Sequence, residues 1–405
     1  MTKQLFDNVY ISDFDYPLPE DRIAKHPLDE RDGSKLLLYK QSSIEEDIFF
    51  NVANHLPSKS LLLFNNTKVV QARLLFKKST GARIEVFLLE PIAPIDYVLS
   101  FGSNTKVVWK CLVGNLKRWK DEVLQMPIQD STTILYAKKI RNLSEGLEVK
   151  LFWDDSSLSF ARIVELCGKI PIPPYLNRDV ESEDKVRYQT IYAKPEGSVA
   201  APTAGLHFTD NVFASLKNKN IDVEYITLHV GAGTFKPVKA ENISGHEMHT
   251  EHFLVRKSTI EKLLNHKDKK VVVGTTTLRT LESLYWLGVK AFEDKLNEPL
   301  FVSQWEPYEL SQNIGANDAL EALASYMGKR NIDYLSASTQ ILIIPGYKVR
   351  MADALITNYH QPKSTLLLLV AAFIGEDWKK VYSYALSNDF RFLSYGDSSL
   401  LMKND

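Results

Sequence analysis

KKVVVGTTTLRTLESLYWLG, residues 269–288, carries the pattern that decides the fold. A β-branched run, Val271 to Val273, stops at Gly274, and helical spacing of apolar residues begins at about Leu278. A buried strand that turns at a glycine into a helix is the building unit of α/β proteins. ADALITNYHQPKSTLLLLVAAFIG, residues 352–375, repeats the unit, with Ser364 placed to cap the apolar helix. IDVEYITLHVG, residues 221–231, adds a strand that runs into the Gly231-Ala232-Gly233 turn. This alternation predicts an α/β core whose functional groups stand on loops at strand ends.

Outward from this core the rhythm changes. Upstream, Pro17 and Pro19 mark turns, Lys35 to Tyr39 reads as a strand, and Asn65-Asn66 punctuates LLLFNNTKVVQARLLF, residues 61–76. From Ala72 to about Trp153, short β-branched or alternating stretches (82–90, 105–113, 131–140, 146–153) recur between Gly, Asn, Asp and Ser. Closely spaced strands of this kind predict a small all-β barrel or sandwich. The expected organisation is an α/β (α+β) main domain over 1–66 and 154–405, interrupted by an inserted small all-β barrel domain over 67–153.

Composition narrows the class. Hydrophobic residues make up 44% and charged residues 24% of 405, the balance of an ordinary globular protein. The longest apolar run, Thr365 to Gly375, is short of the roughly 18–20 residues that span a bilayer. Cys111 and Cys167 offer neither a disulfide framework nor zinc spacing, and Met1 to Asp15 lacks a leader pattern, so a cytoplasmic protein is expected. The formal net charge of −1 gives no general pointer to nucleic acid. Between Leu61 and Lys120, however, basic residues such as Arg73, Lys77 and Lys78 outnumber Glu85, Glu90 and Asp96. That run reads either as a basic binding surface or as a solvated face.

Chemistry-bearing residues concentrate where strands stop. GSVAAPTAGLHFTD (197–210) is rich in small residues that admit close backbone approach, with His207 at a helix entrance. LHVGAGTFKPV (228–238) and GHEMHTEHF (245–253) bring His229, His246, His249, His252, Glu247 and Glu251. A metal site lacks an HExxH pattern and a third ligand there, and acid–base work by histidine is the easier chemistry. VVVGTTTLRTLES (271–283) places threonines and free N–H groups at a helix N-terminus, where a carboxylate or phosphate is favoured, with Arg279 able to fork an anion. The alternative is a capped helix with Arg279 paired to Glu282 or facing solvent. TNYHQPKSTL (357–366) leaves Asn358, His360 and Lys363 unexplained by turn chemistry, and FRFLSYGDSSLL (390–401) sets Arg391, Tyr395 and Asp397 around Gly396.

Taken together and in order, these stretches resemble the S-adenosylmethionine:tRNA ribosyltransferase-isomerases of queuosine biosynthesis. The resemblance covers most of the chain. YAKPEGSVAAPTAGLHFT and TNYHQPKSTLL are its most idiosyncratic segments, and DFDYPLPEDRIAKHPLDERDGSKLL and LHVGAGTFKPV extend it. It implies transfer and isomerisation of the ribosyl unit of S-adenosylmethionine onto 7-aminomethyl-7-deazaguanine at the tRNA wobble position. Epoxyqueuosine, adenine and methionine are the products. S-adenosylmethionine is then a co-substrate, with no metal or redox cofactor, and tRNA is the partner of a protein expected to be monomeric. Within the matched motifs, acid–base roles fall to His207 and His229, with His249 and His360 in reserve. Donor binding falls to Thr203, Gly205, Gly231, Gly233, Thr275, Thr276, Arg279 and Asp397, and RNA contacts to Arg73, Lys77 and Lys363. One departure stands out: residues about 288–340 are longer than the connection typical of the family, with helical apolar spacing over Asn317 to Arg330. The added stretch is expected to act as a lid, to change the RNA surface, or to pack peripherally. Two alternatives stay open: a paralogue acting on another RNA or nucleobase, and a non-catalytic RNA-binding relative.

Overall fold

Strands buried on both faces need no polar alternation, which is why LLLFN and ALITN read as continuous apolar runs. Both are buried at every residue. The computed structural model describes residues 8–128, 131–231, 238 and 240–403. Along the chain, β1 (Lys35–Lys40) and β2 (Ser43–Ile48) form a hairpin, followed by β3 (Leu61–Asn65) and the short β4 (Lys68–Val69). A run of antiparallel strands comes next: β5 (Arg73–Lys77), β6 (Arg83–Ala93), β7 (Lys106–Gly114), β8 (Leu124–Pro127), β9 (Ile134–Asn142), β10 (Leu147–Phe152) and β11 (Gly168–Lys169). The chain then returns through β12 (Glu196–Ser198), β13 (Asp222–His229), β14 (Glu251–Arg256) and β15 (Lys270–Val273). It finishes with β16 (Phe301–Val302), β17 (Tyr334–Thr339), β18 (Ala354–Asn358) and β19 (Ser398–Met402).

The main sheet has ten strands in the order β16-β17-β14-β13-β3-β15-β18-β19-β1-β2. Its centre, β13-β3-β15-β18, is parallel, while the flanks carry antiparallel pairs, so the protein is a mixed α+β fold. The two-residue period of the central strands divides their side chains between two cores. Leu61, Leu63, Val272 and Leu355 enter one, with the helices Thr275–Phe292 and Thr365–Ile374. Leu62, Phe64, Val271, Val273 and Ile356 enter the other, with the helix Asp210–Asn218.

The second sheet runs β11-β5-β6-β7-β10-β9-β8, antiparallel throughout, and has its own core around Val86, Leu88, Trp109, Val149, Leu151 and Phe160. It curls, so that β8 packs back on β5, but the ladders among the described residues do not close it into a barrel. The core reaches past Trp153 to the helix Phe160–Cys167, and the ladder ends only at Lys169. The parallel pair β4-β12 sits where the chain passes between the sheets.

The long stretch after Gly288 is a packing element. The helix Ala316–Arg330 lies on Thr275–Phe292, burying Ala319, Leu320, Leu323 and Met327 in the main core. The approach is so close at Gly288 that a Cβ there would stand 2.3 Å from the Ala319 carbonyl oxygen. β17 then joins the main sheet beside β14. No helix among the described residues is long and apolar enough to cross a membrane.

Candidate active site

Two clefts adjoin at the C-terminal ends of the parallel strands, the place where open α/β sheets bind ligands. The first is built by strand–turn–helix units. β15 ends at Val273, and Gly274 turns the chain with φ +89°, a conformation that L-residues with side chains rarely adopt. The helix Thr275–Phe292 starts there with Thr275 and Thr276 on the cleft wall, so its free N–H groups and positive dipole end face the space. β18 delivers Thr357 and Asn358, followed by Tyr359, His360 and Gln361. Ala200 to Ala204, with Thr203 among them, form the opposite wall with Tyr175, Tyr188 and Ser394.

Among the buried polar groups of the lining residues, Asn358 stands beside His207, and Tyr188 Oη beside Ser394 and the Ala201 backbone, while Tyr359 Oη has no hydrogen-bond partner among the described residues. The cleft's empty space is about 740 Å³ with its mouth and the open solvent there counted in. Two buried side chains keep it in shape. Asn65 bonds both backbone groups of Leu228 at 3.0 Å, tying β3 to β13, and its amide reaches Thr276 Oγ1 at 3.4 Å. Ser198 Oγ accepts from Val230 N at 3.0 Å, which fastens the small-residue loop to the end of β13.

The second cleft lies between the sheets. Leu89, Glu90, Tyr97, Lys110, Leu112 and Glu145 line it from the curled sheet and its loops, while His229, Gly231, His246 to Thr250 and Gln340 line it from the main sheet. Consecutive residues separate the two spaces: Val230 faces the first and Gly231 the second, as do Ser364 and Thr365. The second is larger, about 1350 Å³ with its mouth. Tyr97 stacks on the His229 ring at 4.5 Å and 22° and meets the His252 ring at 5.8 Å, joining the sheets through aromatic contacts. A Cβ on Gly197 would fall 2.5 Å from His229 Nδ1, so glycine there makes room for the ring.

The four expected histidines separate by environment. His229 is buried, meets Thr67 Oγ1 at 3.2 Å through Nδ1, and leaves Nε2 without a partner among the described residues. Burial, with His252 nearby, pushes its pKa down to about 3. His360, in the first cleft, bonds Thr357 Oγ1 at 3.0 Å and is likewise pushed down by burial to about 3. His207 lies apart from both clefts, against Arg31, Ser34, Arg187 and Arg391, with Nδ1 2.8 Å from Ser34 Oγ and the ring on Phe49. Burial brings it to about 4, partly opposed by the Asp397 carboxylate. All three are neutral imidazoles at pH 7. His249 alone is partly open, with 26% of its side chain exposed, and its Nε2 lies 3.2 Å from a buried carboxylate, Glu251.

Several expected site residues stand elsewhere for clear reasons. Arg279 is not paired to Glu282 or open to solvent; it forms a buried ion pair with Glu251 and donates from Nε to the Ile341 carbonyl. Glu282 instead accepts from Tyr347 Oη and from the backbone of Arg350 and Met351. Gly205 lines neither cleft: a Cβ would stand 1.9 Å from Tyr192 Oη, so packing demands the glycine. Asp397 is buried and accepts from the backbone of Lys35 and Arg391, which staples a turn. Gly233 lies outside the described residues. Arg73 is paired with Glu85, and Lys363 with Asp15 at 2.8 Å. Lys68, Lys78 and Lys110 are matched by Glu196, Glu122 and Glu90, so part of the basic run is neutralised, while Lys77, Arg83, Lys106, Lys117, Arg118 and Lys120 are exposed. Among the described residues no group of three His, Cys, Asp or Glu could hold a metal ion.

Sequence reasoning passed over Tyr97, Tyr188 and Asn65. Asn65 had left a trace, two asparagines directly after an apolar strand. Tyr97 left none, because its partner lies 132 positions away and in another sheet.

Comparison with known proteins covers the whole arrangement. A family model described as queuosine biosynthesis protein matches residues 11–401. The S-adenosylmethionine:tRNA ribosyltransferase-isomerase of Halothermothrix orenii is 38% identical over 399 residues, covering 97% of this chain and 99% of that protein. Its namesake from Aquifex aeolicus is 36% identical with the same coverage. A crystal structure of S-adenosylmethionine tRNA ribosyltransferase from Thermotoga maritima aligns at 28% identity and a TM-score of 0.45, over 96% of this chain and all of that one. With nearly its full length matched, the chain belongs to the queuosine biosynthesis protein family.

Proposed function

We propose that this protein transfers and isomerises the ribosyl unit of S-adenosylmethionine onto 7-aminomethyl-7-deazaguanine at the tRNA wobble position, releasing adenine and methionine. Near full-length similarity to enzymes of that name supports the reaction. The observation that carries it to this site is the adjoining pair of clefts, one smaller and one larger, meeting at Val230-Gly231. Donor and acceptor occupy one each, and the bond between them forms at the shared wall.

In this reading the methionine carboxylate takes the N–H groups at Thr275 and Thr276, where the helix dipole favours negative charge. Thr203, Tyr188 and Asn358, which line the first cleft, serve the remaining polar groups of the donor, and Gly231 lets the acceptor approach. The sulfonium acidifies the neighbouring ribose carbon and acts as the electron sink, so the protein has to supply a base, an acid for adenine and a closed space. His229 and His360, neutral at pH 7, act as hydrogen-bonding groups, and His249 is the base. His207, on its own side of Asn358, shapes the first cleft's wall. S-adenosylmethionine is a co-substrate and no further cofactor takes part.

RNA phosphate meets Lys77 and its exposed neighbour Arg83, with Arg73 and Lys363 contributing once their carboxylates are displaced. The curled sheet, from about residue 67, works as an inserted barrel-like module, and the stretch after Gly288 as a family-atypical brace. The enzyme works as a monomer in the cytoplasm.

The decisive experiment is adenine release from S-adenosylmethionine by purified protein, with tRNA bearing the aminomethyl-deazaguanine and with unmodified tRNA. Release only with the modified tRNA is expected. Donor binding without release would turn the reading toward a different acceptor, and no donor binding toward a silent RNA-binding protein.

A further inference from the structure

Three polar side chains, two from one segment and one from a helix 28 positions on, form a line that begins in the core and ends at the inter-sheet cleft. Arg279, in the second turn of its helix, gives Nη1 to Glu251 Oε2. The other carboxylate oxygen, Oε1, lies 3.2 Å from His249 Nε2, and His249 lines the cleft. The Glu251 side chain has no exposed surface and that of Arg279 only 5%. An ionised carboxylate accepts hydrogen bonds and cannot donate them, so the ring nitrogen facing it carries the proton and, in the neutral ring, Nδ1 is the basic one.

The segment around this histidine is gripped from a second side. Gln304 accepts from Met248 N at 2.9 Å and donates to the His246 carbonyl at 2.7 Å, while Gln340 donates to Thr250 Oγ1 at 3.0 Å. Gln304 belongs to the long stretch after Gly288, and β17 of the same stretch pairs with β14 from Glu251 onward. His249 is thus flanked by one neighbour held through its backbone, Met248, and one held through its side chain, Thr250.

We infer that Glu251 is a positioning residue: it holds His249 in one tautomer and one orientation for proton transfer in the inter-sheet cleft. Arg279 serves as its fixed counter-charge. The proton leaves the bound substrate for His249 Nδ1, the substrate keeps the electron pair, and the resulting imidazolium points its Nε2–H at Glu251. The identity of the substrate rests on the ribosyl-transfer reading; the tautomer does not.

Nitrogen-15 spectra of histidine-labelled protein, with His249 assigned by its loss in H249A, test the arrangement directly. The wild type is expected to show Nε2 protonated and Nδ1 bare, and E251Q to lose that preference. In tRNA-dependent adenine release, H249A and E251Q should each lower kcat by about 10²–10⁴, with KM for S-adenosylmethionine changed less than about twofold. The double variant should be no worse than H249A, because Glu251 acts only through the ring. Multiplying losses in the double variant, an unchanged tautomer in E251Q, or full activity of H249A would each overturn the inference. Should E251Q not fold, Q304A loosens the same segment with both charges intact, and its loss of kcat must vanish in the H249A background. A wild type that releases no adenine would sink the ribosyl-transfer reading, and the tautomer measurement would still decide this one.

Discussion

The two clefts are walled by the same β13 terminus yet are made in opposite ways. The first is assembled from local units, in which a strand stops, a glycine or a polar pair turns the chain, and a helix begins within a few residues. The second exists only because one sheet docks on another, with Tyr97 of one against His229 of the other and Glu251 held by an arginine 28 positions away. Local geometry therefore builds the first cleft, while docking builds a second whose shape depends on the whole molecule. The second kind is also the more exposed to damage.

The largest expected effect follows from breaking the buried charge pair. Glu251→Ala leaves Arg279 uncompensated in the core, which costs about 3–5 kcal/mol; chemical denaturation should show it, and a loss below about 1 kcal/mol would mean the pair is open to water. Arg279→Ala should cost a similar amount, and the two losses should not add.

Next is the contact between the sheets. Tyr97→Ala removes a buried ring and should destabilise by about 3 kcal/mol. Tyr97→Phe should cost less than about 1 kcal/mol, because the hydroxyl's contact with the Leu89 carbonyl is 3.5 Å long. If the clefts are as independent as their construction implies, calorimetry on either folded variant will find S-adenosylmethionine binding unchanged. Lost binding would join the two clefts into one site.

Acid sharpens the comparison because both clefts contain neutral buried imidazoles. His229 and His360 are held to about 3 and His207 to about 4, whereas unfolded histidine takes up a proton near 6.5. The unfolded state then binds more protons, so stability is full above about pH 6.5 and falls as the pH drops toward the folded values. Each histidine contributes a slope of about 1.4 kcal/mol per pH unit inside that window. Denaturation at pH 7 and pH 5 measures it, and His360→Gln should reduce the difference between them. Equal stability at the two values would show that the rings are hydrated.

The smallest effect belongs to the first cleft alone. Gly274→Ala places a side chain at φ +89° and should cost about 1–2 kcal/mol. The strain falls on the helix start, so donor affinity should weaken while the His249 signal stays in place.

How much of this was legible follows from the same division. The strand–glycine–helix units at 269–288 and 352–375 were readable because turn chemistry and periodicity are local, and Thr275, Thr276 and His360 came with them. The partner of Arg279 was hidden for the opposite reason: an arginine near a helix start looks like an anion fork until a buried glutamate arrives from another strand. Asp397 and Gly205 stand outside both clefts, and the sequence did not show it, since a turn staple and a packing glycine carry the same letters as a ligand loop. The basic run was legible as charge, but Glu122 and Glu196, which neutralise part of it, lie outside the window that made it look basic.

By itself the sequence determined the mixed architecture, the β-rich interruption, the helix over Ala316–Arg330 and the family, because periodicity, turn residues and motif order are properties of neighbouring residues. Only the tertiary structure decided which histidine meets a carboxylate, which arginine is already paired, and where the two clefts join. Those outcomes depend on burial and on distances between residues far apart in the chain, and a charge or an imidazole takes its properties from what surrounds it in space.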